Sequence, residues 1–143
     1  MFIGEYKHSL DVKNRLALPS KFKEDLLGGA VVTKGFDKCL VLYPAKEWEK
    51  QAMRLASLPN TQSKVRAIER LQLAGAMDVE LDGQRRIMIP EFLKEYANIK
   101  KNVVLAGLYN RLEIWDETEW KKYKAVNDAN SESIAETLGE FGI

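Results

Sequence analysis

The 143-residue chain is poor in chemically reactive side chains: it has one cysteine, Cys39, and one histidine, His8. A lone cysteine cannot close an internal disulfide, so a reducing compartment, the cytoplasm, is the expectation. Cys39 precedes the apolar run Leu40-Val41-Leu42 and reads as a small buried hydrophobe rather than a reactive thiol. His8 has no second His or Cys at ligand spacing, so no zinc site is expected; a surface or strand-packing role fits it better. No G-x-x-x-x-G-K-[ST] phosphate loop and no G-x-S-x-G elbow occurs, and Ser9 and Ser20 have no evident base. Asp11 and Asp82 would serve a magnesium-dependent nuclease only if the fold paired them away from neighbouring arginines. The expectation is therefore a protein that is not an enzyme, with no cofactor, no metal and no small-molecule substrate. No apolar run approaches the ~20 residues that span a bilayer, and Met1-Phe2-Ile3-Gly4-Glu5-Tyr6-Lys7 lacks the basic-then-apolar order of a secretory signal. No membrane partner is expected.

There is also little net charge, +1, but it is unevenly spread. Between Glu5 and Lys23, Lys7, Lys13, Arg15, Lys21 and Lys23 outnumber Glu5 and Asp11. From Glu113 onward, eight acids face only Lys121, Lys122 and Lys124. That asymmetry lets a polyanion dock on one face while the other repels it. At 45% hydrophobic and 30% charged, the composition is that of a folded globular protein.

The chain does hold an internal repeat. Leu10-Asp11-Val12-Lys13-Asn14-Arg15-Leu16-Ala17-Leu18-Pro19 returns as Leu81-Asp82-Gly83-Gln84-Arg85-Arg86-Ile87-Met88-Ile89-Pro90, with Asp, Arg and Pro in register. Lys23-Glu24 recurs as Lys94-Glu95. After one inserted residue Gly35 meets Gly107, Leu40 meets Leu112, and Glu47-Trp48 meets Glu119-Trp120. Each half is ~70 residues, where an independent core becomes marginal, so two half-units sharing one core are expected.

The halves predict matching elements. Gly4 to Leu10 and Met77 to Leu81 alternate as strands, and Arg15–Leu18 and Arg86–Ile89 are short apolar strands ended by Pro19 and Pro90. Asp, Asn and Gly in the intervening segments form turns, so each half is expected to open with a β-hairpin. Short helices follow each proline, closed by Gly28-Gly29 and by Asn98. Strands come next at 30–33 and 103–106, then at 39–43 and 112–115. Asp116 with Glu119 caps a helix that carries Trp120, and Pro44 and Trp48 start its counterpart. Trp48, Trp120, Trp115 and Tyr43 hold matched positions and read as packing residues. Pro59-Asn60-Thr61 leads into a helical stretch to Ala76, with Val65, Ile68 and Leu71 on one face and Arg66 and Arg70 on another. The tail from Asn127 reads as a frayed or loose helix.

The candidate chemistry lies in Asp11/Arg15 and Asp82/Arg86. In a tight turn an Asp can accept from loop amides and pair with an Arg four residues on, leaving the guanidinium as a pre-aimed planar fork. Such a fork suits a phosphate, or O6 and N7 of guanine in a major groove that a two-stranded β-ribbon can enter. A single D-x-x-x-R is more often a salt bridge that stiffens a turn. Its recurrence in two otherwise diverged halves favours function, although a shared folding requirement would also preserve it.

Phe2-x-Gly4-Glu5-Tyr6-x-His8-x-Leu10-Asp11-x-Lys13-x-Arg15-Leu16-x-Leu18-Pro19, with Asp82-x-x-x-Arg86-Ile87-x-Ile89-Pro90 and Glu113-Ile114-Trp115, closely resembles the MraZ family over Met1 to about Tyr123. The resemblance implies a mainly β fold with short helices (α+β), built as a duplicated AbrB/MazE-like swapped hairpin in a double-split β-barrel. SpoVT-AbrB units would span residues 5–47 and 76–119, with a helical linker at 48–75 and a C-terminal helix and acidic tail at 120–143. It further implies a nucleoid-associated transcriptional regulator whose subunits close into a homo-oligomeric ring, an octamer. This ring would bind short direct repeats of double-stranded DNA in the promoter of the division and cell-wall gene cluster. Arg15 and Arg86 would then contact DNA, Asp11 and Asp82 would organise them, and Lys13 would meet phosphate, with Asn14, Arg85 and Lys7 as further contacts. The alternative is an antitoxin-like protein-interaction module that uses the acidic tail. The family usually has glycine before each motif arginine, where this chain has Asn14 and Arg85. Asn tolerates positive φ; Arg tolerates it less well, so the second loop is expected to differ in shape or in DNA contact.

Overall fold

Apolar β-branched and leucine-rich runs build the centre of the molecule. In the computed structural model, which describes residues 1–143, eight strands form: β1 (Phe2–Ser9), β2 (Arg15–Ala17), β3 (Ala30–Lys34), β4 (Leu40–Pro44), β5 (Met77–Val79), β6 (Arg86–Met88), β7 (Asn102–Tyr109) and β8 (Leu112–Asp116). Strands β3, β4, β7 and β8 are covered on both faces and therefore read as near-continuous hydrophobic runs rather than alternating ones. All strand pairings are antiparallel. Six strands make one sheet in the order β1-β7-β8-β4-β3-β5, and β2 and β6 make a separate two-stranded ribbon. The fold is thus α+β, as expected.

Exchanging the halves maps that sheet order onto itself. First-half β1 lies along second-half β7 over eight residue pairs, from Phe2↔Tyr109 to Ser9↔Asn102. Second-half β5 lies along first-half β3, and β4 and β8 join the halves at the centre. One cluster of 20 buried residues takes members from both halves, from Phe2, Leu16 and Phe22 to Ile87, Leu105 and Ile114. Neither half keeps its core to itself. Gly107 marks the closest strand approach, since a β-carbon there would come within 2.5 Å of the Ile3 amide nitrogen.

This pairing corrects the expected hairpins. Leu10 and Leu16 form a single isolated bridge, and the ladder stops there. Beyond that bridge β1 runs along β7 and β2 along β6, so the two strands separate. β2 instead pairs with β6, as Arg15↔Met88, Leu16↔Ile87 and Ala17↔Arg86. Flanking bonds extend the ribbon symmetrically: Leu18 N–H donates to the Arg85 carbonyl (2.9 Å) and Ile89 N–H to the Asn14 carbonyl (2.8 Å).

The helices are α1 (Lys23–Leu26, after a 3₁₀ turn at Ser20–Phe22), α2 (Ala45–Ala56), α3 (Ser63–Glu69, continued by a π-helical turn at Arg70–Ala74), α4 (Glu91–Tyr96), α5 (Glu117–Ala129) and α6 (Ser131–Ala135), with a 3₁₀ segment at Glu136–Phe141. Asp116 caps α5 as expected, accepting from the Thr118 and Glu119 amides. Asn98 ends α4 at φ 52°. Tyr43 and Trp115 are buried, each against the half-buried tryptophan of the following helix. Cys39 is fully buried, and burial pushes its thiol pKa up, as befits a packing residue. No helix is long and apolar enough to cross a membrane.

Candidate nucleic-acid interface

The D-x-x-x-R segments close as tight turns whose geometry follows from the Asp side chain. Asn14 N–H donates to the Asp11 carbonyl and Asp11 N–H to the Arg15 carbonyl, both at 3.0 Å. This is a turn followed by one left-handed residue, the usual form of a three-residue hairpin loop. Asp11 Oδ1 accepts from the Lys13 and Arg15 amides at 2.9 Å each, and Oδ2 accepts from Arg15 Nε at 2.7 Å. The second turn repeats the scheme: Asp82 Oδ1 accepts from Gln84 N–H (2.8 Å) and Arg86 N–H (2.9 Å), and Oδ2 from Arg86 Nε (2.8 Å). Each carboxylate is held below its usual pKa, first by the amide of its arginine, with that arginine's side chain and the amide two residues along also contributing.

In both turns the arginine spends only its Nε on the aspartate. The terminal nitrogens make no hydrogen bond and form a planar donor pair, and the backbone and carboxylate fix the plane. The β2–β6 pairing sets both forks on one face of the ribbon. Leu16 and Ile87 point into the core at 0% exposure, so Arg15, Ala17, Arg86 and Met88 share the opposite face. The turns are close enough for Arg86 Nη1 to lie 3.7 Å from Asp11 Oδ2, so Asp11 serves both arginines, whereas Asp82 pairs only with its own. Sequence reasoning missed this link because it depends on a pairing between distant strands.

Asn14 and Arg85 occupy equivalent left-handed positions, each at φ 59°. The second turn therefore keeps the shape of the first, which leaves DNA contact as the one expected difference still open. The Asp82 side chain ties two backbone amides and the Arg86 guanidinium, and so overrides the reluctance of a β-carbon-bearing residue to adopt this conformation. The difference between the turns lies in their side chains. Asn14 Nδ2 donates to Glu91 Oε2 (2.9 Å) and its Oδ1 accepts from Lys94 Nζ (3.1 Å), so α4 of the second half grips the first turn. Arg85 is exposed and makes no side-chain hydrogen bond or ion pair. Lys13 and Val12 are also exposed at the tip of the first turn. Lys7 sits apart from this cluster on β1, opposite Val104. Glu91 and Lys94 were not among the sequence candidates; the Lys23/Lys94 repeat was the only available signal.

The face thus carries four cations, Lys13, Arg15, Arg85 and Arg86, against two carboxylates already engaged in aiming the arginines. It is a rigid, basic, two-stranded surface with repeated planar donors.

The family model described as "MraZ protein, putative antitoxin-like" matches the chain twice, over residues 1–71 and 72–141. The chain is 46% identical over 143 residues to the transcriptional regulator MraZ of Acetivibrio thermocellus, and 46% identical over 145 residues to that of Clostridium tetani, with both chains covered in full in each case. It is 41% identical over 141 residues to the corresponding protein of Roseiflexus castenholzii, covering 99% of each chain. With the repeated turns and the twofold match to a single family model, the chain belongs to the MraZ family.

Proposed function

We propose that this protein is a transcriptional regulator that binds double-stranded DNA through its β2–β6 ribbon. The observation that carries this reading is the pair of half-buried arginine forks, each fixed through Nε by an aspartate four residues earlier and set on the ribbon face opposite the core. A two-stranded ribbon fits a major groove, where such a fork can donate to O6 and N7 of guanine. Arg15 and Arg86 read bases, and Asp11 and Asp82 aim them. Lys13 and Arg85 neutralise phosphates, and Lys7 contributes a more distant one. Asn14 acts by fixing the first turn through Glu91 and Lys94. Family membership, and the regulators named among the relatives, support the same reading.

The finer reading is that the SpoVT-AbrB units at 5–47 and 76–119 form a swapped-hairpin, double-split barrel, with the linker at 48–75 and the helix and tail at 120–143. Copies of the chain close into a ring, an octamer, in the cytoplasm at the nucleoid. A ring presents its paired turns at regular spacing and so matches short direct repeats, here in the promoter of the division and cell-wall gene cluster. A mobility-shift titration with the promoter region upstream of the chain's own gene tests this. A specific complex that Arg15→Ala weakens supports the reading, and equal binding to operator and random DNA opposes it.

The acidic tail favours one second reading, an antitoxin-like interaction module. Asp128, Glu132, Glu136 and Glu140 recur every four residues, and Ile134, Leu138 and Phe141 are exposed at helical spacing. A protein that captures a partner through this tail would lose that capture, and keep DNA binding, on truncation after Ala129.

A further inference from the structure

A polar concavity lies away from the ribbon and shares no residue with either D-x-x-x-R turn. Its volume is ≈ 380 Å³, within the range of small-molecule sites. It forms where the duplication is broken. In the second half Tyr123 of α5 packs on Trp115 at 4.9 Å between ring centroids. The equivalent residues in the first half are Gln51 and Tyr43, and Arg54 stands where the second half has Val126. Polar side chains have replaced an aromatic and an aliphatic one, and space is left between α2 and the turn that joins β7 to β8.

Two guanidinium groups face this space without carboxylate partners. Arg54 makes no side-chain hydrogen bond or ion pair, and Arg111 donates only to its neighbour Asn110 (Nη1 to Oδ1, 2.8 Å). Both lie close enough to the Tyr43 phenol to oppose the rise that burial imposes on its pKa. Gln72 lines the same cavity at only 4% exposure. Its Nε2 reaches the Lys34 carbonyl at 3.3 Å, while its side-chain oxygen accepts no hydrogen bond. The π-helical turn Arg70–Ala74 brings it there, and such turns often mark functional sites. Thr33 secures that turn by donating to the Gln72 carbonyl at 2.6 Å. Asp37 and Glu113 also line the cavity, and Glu113 has one oxygen engaged by Trp115 Nε1 at 3.0 Å.

We propose that this cavity binds a small zwitterion of amino-acid or dipeptide size. Its carboxylate pairs with Arg54 and Arg111, its ammonium with Glu113 and Asp37, and a donor group with the free Gln72 oxygen. A bare anion would leave two carboxylates facing it, and a bare cation two guanidiniums; only a ligand bearing both charges meets all four groups.

Calorimetric titration of the full-length protein with the twenty L-amino acids and their glycyl dipeptides tests the assignment. Inorganic phosphate, and the amide-capped and N-acetylated forms of any binder, serve as probes that carry charge of one sign only. The expected result is a ligand that needs both charged ends and binds Arg54→Ala or Arg111→Ala roughly ten- to a hundred-fold more weakly. Arg54 is exposed, so its variant should keep the wild-type melting temperature. Binding by none of the panel, binding unchanged in the Arg54 variant, or phosphate binding as well as the amino acids would each overturn the proposal.

Discussion

Asp11 and Asp82 make the same bonds to their own turns, but Asp11 also lies within ion-pair distance of Arg86. Replacing Asp11 by Asn should therefore weaken operator binding more than Asp82→Asn, because two forks lose their anchor instead of one; fluorescence anisotropy on one operator would rank them. The pairing of Asp11 with Arg15 and of Asp82 with Arg86 was legible in the sequence because it is local, four residues apart. The contacts of Asn14 with Glu91 and Lys94 span 77 and 80 residues and exist only because β2 meets β6, so no spacing rule could reveal them. The same residues set the pH response. Both aspartates have depressed pKa values, so their contribution holds above the ordinary carboxylate range and is lost only as pH falls through the lowered values. His8 is also lowered, by burial: the folded state resists its protonation, and stability present above about 6.5 declines as pH falls below it. Denaturation curves between pH 7.5 and 5 should show this loss, and His8→Gln should flatten it, while the turns themselves stay intact.

The duplicated elements were readable from prolines, glycines and matched apolar runs, and the Asp116 cap from its spacing to Glu119. Pairing partners were not. The expected hairpins failed because adjacency in sequence favours them, while each strand finds its ladder on a strand of the other half. The shape of the second turn was not legible for a related reason: the reluctance of Arg for positive φ is a local property, while the three bonds that overcome it come from Asp82. That reluctance still has a cost. A left-handed conformation costs a residue with a β-carbon about 1–2 kcal/mol, and glycine gives back roughly 0.5–1 kcal/mol of that as chain entropy. Arg85→Gly should accordingly stabilise the fold by about 0.5–1 kcal/mol in chemical denaturation. It should also reduce the salt slope of DNA binding by about 0.9 per lost phosphate contact, equally for operator and random DNA. A loss confined to operator would make Arg85 a base reader instead.

At the scale of the molecule, the halves have exchanged strands so completely that each sheet edge, β1 or β5, belongs to one half and lies on the other. The shared core was foreseeable from half-units of ~70 residues, which are marginal alone; the order of strands was not, since register depends on partners far apart in sequence. The proposed ring predicts a discrete species well above a dimer in light scattering at micromolar concentration, and a stable monomer with full operator affinity would exclude it. The central claim is that the ribbon's two arginine forks read DNA. Its most direct test is anisotropy titration of wild type, Arg15→Ala, Arg86→Ala and the double variant against operator and random duplexes at one salt concentration. Each single variant should lose about 1–3 kcal/mol per engaged site on operator, far less on random DNA, with the fold retained. A double variant that binds operator as wild type does would contradict the account.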